Sequence, residues 1–560
     1  MKRTVFAIVL LGAMGLQAQV LNVNNKNGTY LPLETEYIKE ITFDEERKVV
    51  ALEMSGGLSH SFYTVNVESL SPKTDKTSRL TYNLAPEVAF DAVDAFDEIV
   101  ETIIYDSTDK DYSDFVDHYN PTTIVDIVFA ENSVSVSGNK ANIVCSSNGG
   151  HLIVNDTIGK VKYRVSGKCD DGSLKIYSTK KFQLELDGLE LTNPVGPAIN
   201  IQSGKTTYFT IKDNSVNKLC DGKNYAAAAV GSDGSEEDQK GTLFSEGQLV
   251  FNGNGTLNVT SLGGHAICSD DYIRIRSGNI NVLAAAKDGF HTNDKFILDR
   301  TKEASPVIIV KAVSNGIDCG KGEVIINAGK LDLETGGEAI KVEYESQTSD
   351  QVVVPNFTIN GGYIKFVTKG DKGSGIKTTG EYRQTGGVIH GTVYGNGSKV
   401  LNCDGVVSFT GGVLTALSHG TVLNGTTLAG GIKSVGDVRV SGGRIAIECT
   451  GKGAKGINGD ANVTITGGDV TIIAAAGNVT IAATAGNSSE ADKVRKNIAL
   501  DATNVVVTNG NIMLKAYEKA VSAAGFMILG GNFHAVSEGD VAIDIDAGIQ
   551  QYGGWLLTKE

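Results

Sequence analysis

From Leu243 onward the chain repeats one arrangement of apolar and polar positions: an apolar residue, five others, then apolar-x-apolar-x-Gly-Gly. Ile432, Val438, Val440 and Gly442-Gly443 fit it, as do Ile457, Val463, Ile465 and Gly467-Gly468. Leu401, Val407, Phe409 and Gly411-Gly412 fit again, and Ile267, Ile273, Ile275 and Ser277-Gly278 follow the same frame. Ile376, Tyr382, Gln384 and Gly386-Gly387 keep the spacing with one polar substitution. The repeats start at 243, 267, 290, 317, 340, 376, 401, 432 and 457, mostly 23–27 residues apart. Alternation at period two predicts strands, and several short strands in each repeat of this length predict a solenoid whose coils stack. The expected fold class is all-β, a right-handed parallel β-helix. Repeat starts should form one buried column, with the Gly-Gly pairs turning corners. An insertion at 343–352, between Ile340 and Phe357, should project as a loop and wall a groove.

The rest of the chain divides around this frame. Residues 1–18 read as a secretory signal peptide: Lys2 and Arg3, an apolar run from Val5 to Met14, then Ala18. That run is too short to span a bilayer, and nothing later approaches a membrane span. The expected location is therefore exported, whether extracellular, cell-surface or periplasmic. Residues 19–74 carry two similar strand-like stretches, a small β unit. Residues 75–121 are an acidic linker, in which Val93, Phe96, Ile99 and Ile103 suit a short helix. Residues 122–240 read as an early β region capping the helix, 241–548 as the helix itself and 549–560 as a C-terminal tail.

Composition narrows the partners. The 68 glycines against 8 prolines suit many tight turns between uninterrupted strands. A formal net charge of −15 excludes nucleic acid as a partner and repels a polyanionic glycan unless cations bridge the two. Seven cysteines, with no CxxC spacing, leave at least one unpaired and disfavour structural zinc. Most are expected as small core residues, with a Cys145–Cys169 bridge left open.

No HExxH, GxSxG or correctly spaced P-loop occurs. Gly451 to Gly456 matches GxGxxG but leads into a strand, so it reads as a turn. The frame itself supplies candidates, because equivalent positions stack. Asp270-Asp271 falls beside Asn293-Asp294; Asp288, Asn315 and Glu338 share one column, and His291, Asp318, Lys341 and Lys377 another. Carboxylates on neighbouring rungs repel without a counter-charge, and hard oxygen donors suit Ca²⁺. The candidate metal ligands are Asp270, Asp271, Asn293, Asp294, Asp288 and Asp318. Solvated corner turns would hold the same residues without an ion.

The segment GTLFSEGQLVFNGNGTLNVTSLGGHAICSDDYIRIRSGNINVLAAAKDGFHTND (Gly241 to Asp294) resembles a family of bacterial extracellular carbohydrate-binding β-helix proteins. YRVSGKCDDGSLKIY (Tyr163 to Tyr177) and DNSVNKLCDG (Asp213 to Gly222) resemble its early part. The resemblance runs over approximately Val125 to Gly468. It implies a fold similar to pectate lyases, binding of polysaccharides such as cellulose and polygalacturonate, and an association with calcium. The family's Asp-Gly-Ile turns correspond to Asp288-Gly289-Phe290 and, with Asn substituted, to Asn315-Gly316-Ile317. At Glu338-Ala339-Ile340 the pattern departs further.

The leading expectation is non-catalytic binding of an extracellular polysaccharide, plant-type or acidic, with Ca²⁺. Tyr272, His291, Tyr344 and Lys341 are the candidate glycan contacts, with Tyr363 a further aromatic. A calcium-dependent polysaccharide lyase is the alternative, with Lys341 or Lys377 as the base that takes a C5 proton. A structural adhesin that binds protein is the third.

Overall fold

The computed structural model describes strands between Val20 and Lys73, and residues 114–559 apart from 232–233, 345–353 and 482–492. The predicted signal segment, the helical part of the acidic linker and most of the 343–352 loop lie outside the described residues.

The N-terminal strands form two antiparallel three-stranded sheets. One runs Tyr30–Glu34, Val20–Asn25, Val67–Lys73, and the other Ile38–Asp44, Val49–Met54, Ser59–Tyr63. From Thr123 the architecture changes to a parallel β-helix. Each coil contributes one strand to each of three ladders, and each strand pairs in parallel with its counterpart one coil later. Among the described residues the one helical element is a single 3-10 turn, Val116–His118.

The repeat starts do stack. Leu243, Ile267, Phe290, Ile317, Ile340, Ile376, Leu401, Ile432, Ile457 and Leu500 pair directly in sequence along the first ladder. All are buried. Side chains alternate about the strand, so this column fills the core while the residue one place on faces outward. The second ladder takes Ile273, Phe296, Val324, Phe357, Tyr382, Val407, Val438 and Val463 in register. The third runs through Val282, Val310, Leu333, Phe366 and Gly391.

The Gly-Gly pairs turn the chain from the second ladder into the third. In each, the second glycine has positive φ: +78° at Gly362, +67° at Gly387, +76° at Gly412, +81° at Gly443 and +83° at Gly468. A Cβ at Gly443 would meet the Gly411 carbonyl oxygen of the preceding coil at 2.7 Å. Backbone and stacking both exclude a side chain there. At another corner, hydroxyls and thiols add hydrogen bonds to glycine carbonyls of the preceding coil. Ser269, Cys403 and Ser434 donate to the carbonyls of Gly247, Gly380 and Gly405 at 3.0, 3.2 and 3.1 Å. Cysteine thus serves as a small corner residue. All seven cysteines are free, so the Cys145–Cys169 bridge does not form; the Cys169 thiol instead lies 3.5 Å from the Glu131 carbonyl.

The ladders begin upstream of the countable repeat and end beyond it. Thr123–Ala130 already pairs in parallel with Val161–Cys169, and Trp555–Lys559 is the last rung of the third ladder, on Asn532–Ser537. The early coils lack the Gly-Gly marker, which hid them from the spacing argument. Two antiparallel strands, Ser133–Ser137 and Val144–Asn148, flank the first coil.

The ladders meet at glycines facing a large core side chain. A Cβ at Gly375 would lie 2.2 and 2.3 Å from ring carbons of Phe366. Gly375→Ala should therefore destabilise the helix by about 1–3 kcal/mol. Gly204→Ala, where a Cβ meets nothing within 4 Å, should stay within about 0.5 kcal/mol of the parent. Chemical denaturation of the two variants checks this, and equal losses would contradict the packing.

Candidate functional site

The outward side of the first ladder carries two parallel columns. The residue after each repeat start gives Cys268, His291, Asp318, Lys341, Lys377, Asn402, Lys433, Asn458 and Asp501. The residue two places before gives His265, Asp288, Asn315, Glu338, Ser374, Lys399, Gly430 and Lys455. The columns share one face. The Asn315 amide donates to Asp318 at 3.1 Å, and Lys455 reaches both Asn458, at 3.3 Å, and Asp501.

This face is covered at its upstream end. Residues 234–240 cross it: Glu237 accepts from Lys175 at 2.8 Å and from Tyr177 at 2.7 Å, and the Asp238 carbonyl accepts from Gln202 at 2.9 Å. Phe244 and Cys268, outward by register, are fully buried here. Further along, the columns are partly exposed.

The four-residue set Asp270, Asp271, Asn293 and Asp294 does not assemble as an oxygen cage. Both Asp270 oxygens accept from the Lys240 ammonium, at 2.6 and 2.7 Å, and Lys240 also pairs with Asp238 at 2.8 Å. Asn293 turns its NH₂ toward Asp270, at 3.1 Å to the carbonyl and 3.4 Å to the side chain. Asp271 accepts from the Gln248 amide, and Asp294 is exposed. A lysine therefore supplies the counter-charge, and these four residues do not fit Ca²⁺ as a group. Sequence spacing placed their Cα atoms on neighbouring rungs; it carried no information on the covering segment that delivers Lys240.

That segment assembles a different acidic group. Asp238, Glu246 and Asp270 bring carboxylate oxygens within 4.8 Å of one another, around the single Lys240. Burial raises the Asp270 and Glu246 carboxyls, and the neighbouring acids raise both further, against Lys240.

The other predicted ligands lie downstream. Asp288 is buried between two imidazoles, with Oδ2 3.0 Å from His265 Nδ1 and 3.5 Å from His291 Nδ1. Burial pushes its carboxyl up, but the contacts with His265 and His291 outweigh this and hold it well below the usual range. Burial pulls His265 below the ordinary imidazole value, against the pull of Asp288. Asp318 sits with Asn315 and, at 3.8 Å, Lys341; burial and then Asp288 raise its carboxyl.

The lysines proposed as bases are ion-paired. Lys341 lies 3.6 Å and Lys377 2.9 Å from Glu343. Lys399 differs. Its ammonium donates to the Gly397 carbonyl at 3.0 Å, and no carboxylate among the described residues pairs with it. Burial lowers its pKa, and Lys433, Lys372 and Lys377 lower it further. Lysines thus recur on this face from Lys341 through Lys377, Lys399 and Lys433 to Lys455; Lys433 pairs with Asp460 and Lys455 with Asp501, so among the described residues Lys399 is the one of the five without a carboxylate partner.

The predicted aromatics are placed elsewhere. Tyr272 belongs to the second ladder, and its hydroxyl donates to Asp114 at 2.6 Å, under the 3-10 segment. Tyr363 is buried against Val388 and His390. Tyr344 follows the first-ladder strand Ile340–Val342 and is half-buried. The aromatic that does stand out is Tyr394, 53% exposed and stacked on His419 at 4.8 Å and 18°. It ends the third-ladder strand Val388–Val393, and a four-residue turn leads from it to Lys399. Tyr394, Lys399, Lys433 and Lys455 were missed by sequence reasoning. The lysines were findable, since they sit at the same two offsets as the residues it chose.

A family model described as "Carbohydrate-binding domain-containing protein" matches residues 148–477, more than half of the chain, and the chain belongs to that family. A carbohydrate-binding domain-containing protein of Acetivibrio thermocellus is 28% identical over 124 residues, 22% of this chain and 42% of that protein. The chain therefore spans less than half of that relative's length. Among solved structures, the polysaccharide lyase-like protein from C. thermocellum, a gadolinium derivative, aligns over 51% of this chain and 96% of that one, at 21% identity and a TM-score of 0.36. The family match contains both columns from His265 to Lys455.

Acid should weaken the helix at this site. A buried imidazole with a lowered pKa binds fewer protons folded than unfolded, so its contribution is full above the unfolded value near 6.5 and falls as pH drops below it. The depressed Asp288 carboxyl acts in the same direction at lower pH, as it protonates. The melting temperature should fall on acidification from neutral pH, and His265→Gln should flatten the first part of that fall. A variant with the parent's full pH profile would contradict the assignment to His265.

Proposed function

We propose that the open face of the first ladder binds an extended acidic polysaccharide, of the polyuronate class, outside the cell and without chemically altering it. The observation that carries the reading is Lys399, which among the described residues lacks a carboxylate partner and is crowded by Lys433, Lys372 and Lys377. A protein of charge −15 has little reason to gather ammonium groups where they repel, unless an anion comes to them. Family membership supports a glycan as that anion. Rungs repeat about every 4.8 Å, so successive lysines meet successive sugars of an extended chain rather than one compact ligand. Tyr394 on its His419 neighbour offers the apolar face of a sugar ring a flat surface beside Lys399.

Ca²⁺ enters this proposal at Asp238, Glu246 and Asp270, not at the four-residue set. Three carboxylates against one ammonium leave an excess of hard negative donors, which suits that ion. Bound there, it would supply positive charge at the upstream end of the face, with Lys240 displaced.

The lyase alternative rests on the placement of Lys399, whose ammonium among the described residues meets no carboxylate and lies near other lysines, which favours its neutral form over that of the ion-paired Lys341 or Lys377. An absorbance assay for unsaturated uronate products separates the two readings.

Affinity electrophoresis in polygalacturonate tests the binding proposal. Retardation should weaken with added salt, because exposed charge pairs are screened over about 10 Å at 0.1 M. Lys399→Ala with Lys433→Ala should reduce affinity roughly tenfold, at about 1 kcal/mol or less for each lost ion contact. Tyr394→Ala should reduce it on its own. Equal retention in a neutral glucan, or no loss in the double lysine variant, would overturn the acidic-glycan assignment.

A further inference from the structure

We propose that His265, Asp288 and His291 form a binding site for a divalent first-row transition ion of the Zn²⁺ type, independent of the glycan reading. The site is built by the fold. His265 and Asp288 occupy the same column on successive coils, and His291 lies three residues beyond Asp288 in the neighbouring column. The two imidazoles stack, with centroids 4.5 Å apart and planes at 26°. One ring nitrogen of each histidine and one carboxylate oxygen of Asp288 lie within 4.8 Å of one another.

Two details point to a cation at their centre. Asp288 Oδ1 is already engaged by the Asn315 backbone N–H at 2.8 Å, which fixes the carboxylate and leaves Oδ2 aimed at both rings. The Asp288 backbone N–H points at His265 Nδ1 at 3.4 Å, and Oδ2 lies 3.0 Å from the same nitrogen. His291 Nδ1 is buried, makes no hydrogen bond, and faces Oδ2 at 3.5 Å. Two ring nitrogens thus converge on one carboxylate oxygen, where a proton or a metal ion can bridge them.

The spacing selects the class of ion. Ligands about 2.0–2.1 Å from a metal stand about 2.9 Å apart at a right angle and about 3.4 Å apart in a tetrahedron. The contacts to Oδ2, at 3.0 and 3.5 Å, match that range. Two imidazole nitrogens and one carboxylate suit Zn²⁺, Cu²⁺ or Ni²⁺ and not the oxygen-seeking Ca²⁺. Three protein ligands leave a coordination position open on the side where His291 is partly exposed.

Calorimetric titration of the untagged chain with Zn²⁺ tests the proposal. One site per chain is expected, unaffected by excess Ca²⁺ and weakened roughly 100-fold or more in His265→Gln/His291→Gln. His151→Gln, outside both sites, should bind as the parent does. Because the double variant alters a buried cluster, Co²⁺ added to the parent chain provides a second readout, with visible bands of a low-coordinate nitrogen–oxygen site expected. Absence of Zn²⁺ binding by the parent, binding that survives in the double variant, or Co²⁺ bands of the aqueous ion would each overturn the assignment.

Discussion

The structure depends on in-register parallel stacking. Once Leu243, Ile267, Phe290 and their successors are locked in one column, every other residue has its height and direction fixed by its offset from that column. Core ladders, corner hydroxyls and outward columns are consequences of the same register. So is the need for glycine: where two strands meet across the core, a side chain on one must stop short of a ring on the other, as Gly375 does beneath Phe366.

The same constraint explains how a strongly acidic chain can present opposite charges in separate places. A column repeats one offset along the rod, so exchanging a residue in one coil changes the charge at one height without disturbing its neighbours. Acids gather where Asp238, Glu246 and Asp270 meet the covering segment. Imidazoles and a carboxylate follow at His265, Asp288 and His291, and lysines dominate from Lys341 to Lys455. Net charge averages over this pattern. It says little about the charge at any one height of the first ladder.

The repeat frame was legible in the sequence because stacking demands the same polarity at the same offset, and Gly-Gly marks the turns. Ile267 through Ile457 could be aligned from spacing alone. The early coils were not legible in this way, since their turns lack that marker. At the site, the frame found the columns of Asp288 and of His291, and it placed Asp270 beside Asn293. It could not reveal that residues 234–240 fold back and hand Lys240 to Asp270. Nor could it show that Tyr272 is held by Asp114, from 158 residues away. Contacts between a coil and a distant segment leave no periodic trace. Lys399 and Lys455 did leave one, at the offset of Asp288, and attention to carboxylates passed over them.

The central claim is that the first-ladder face, and not another side of the rod, meets an acidic glycan. Quantitative acetylation of lysines, read by mass spectrometry with and without polygalacturonate, tests it most directly. The account predicts protection of Lys377, Lys399, Lys433 and Lys455, with Lys311, Lys330 and Lys365 on the third ladder reacting as in the free protein. Protection of the third-ladder lysines, or no difference between the two groups, would contradict it.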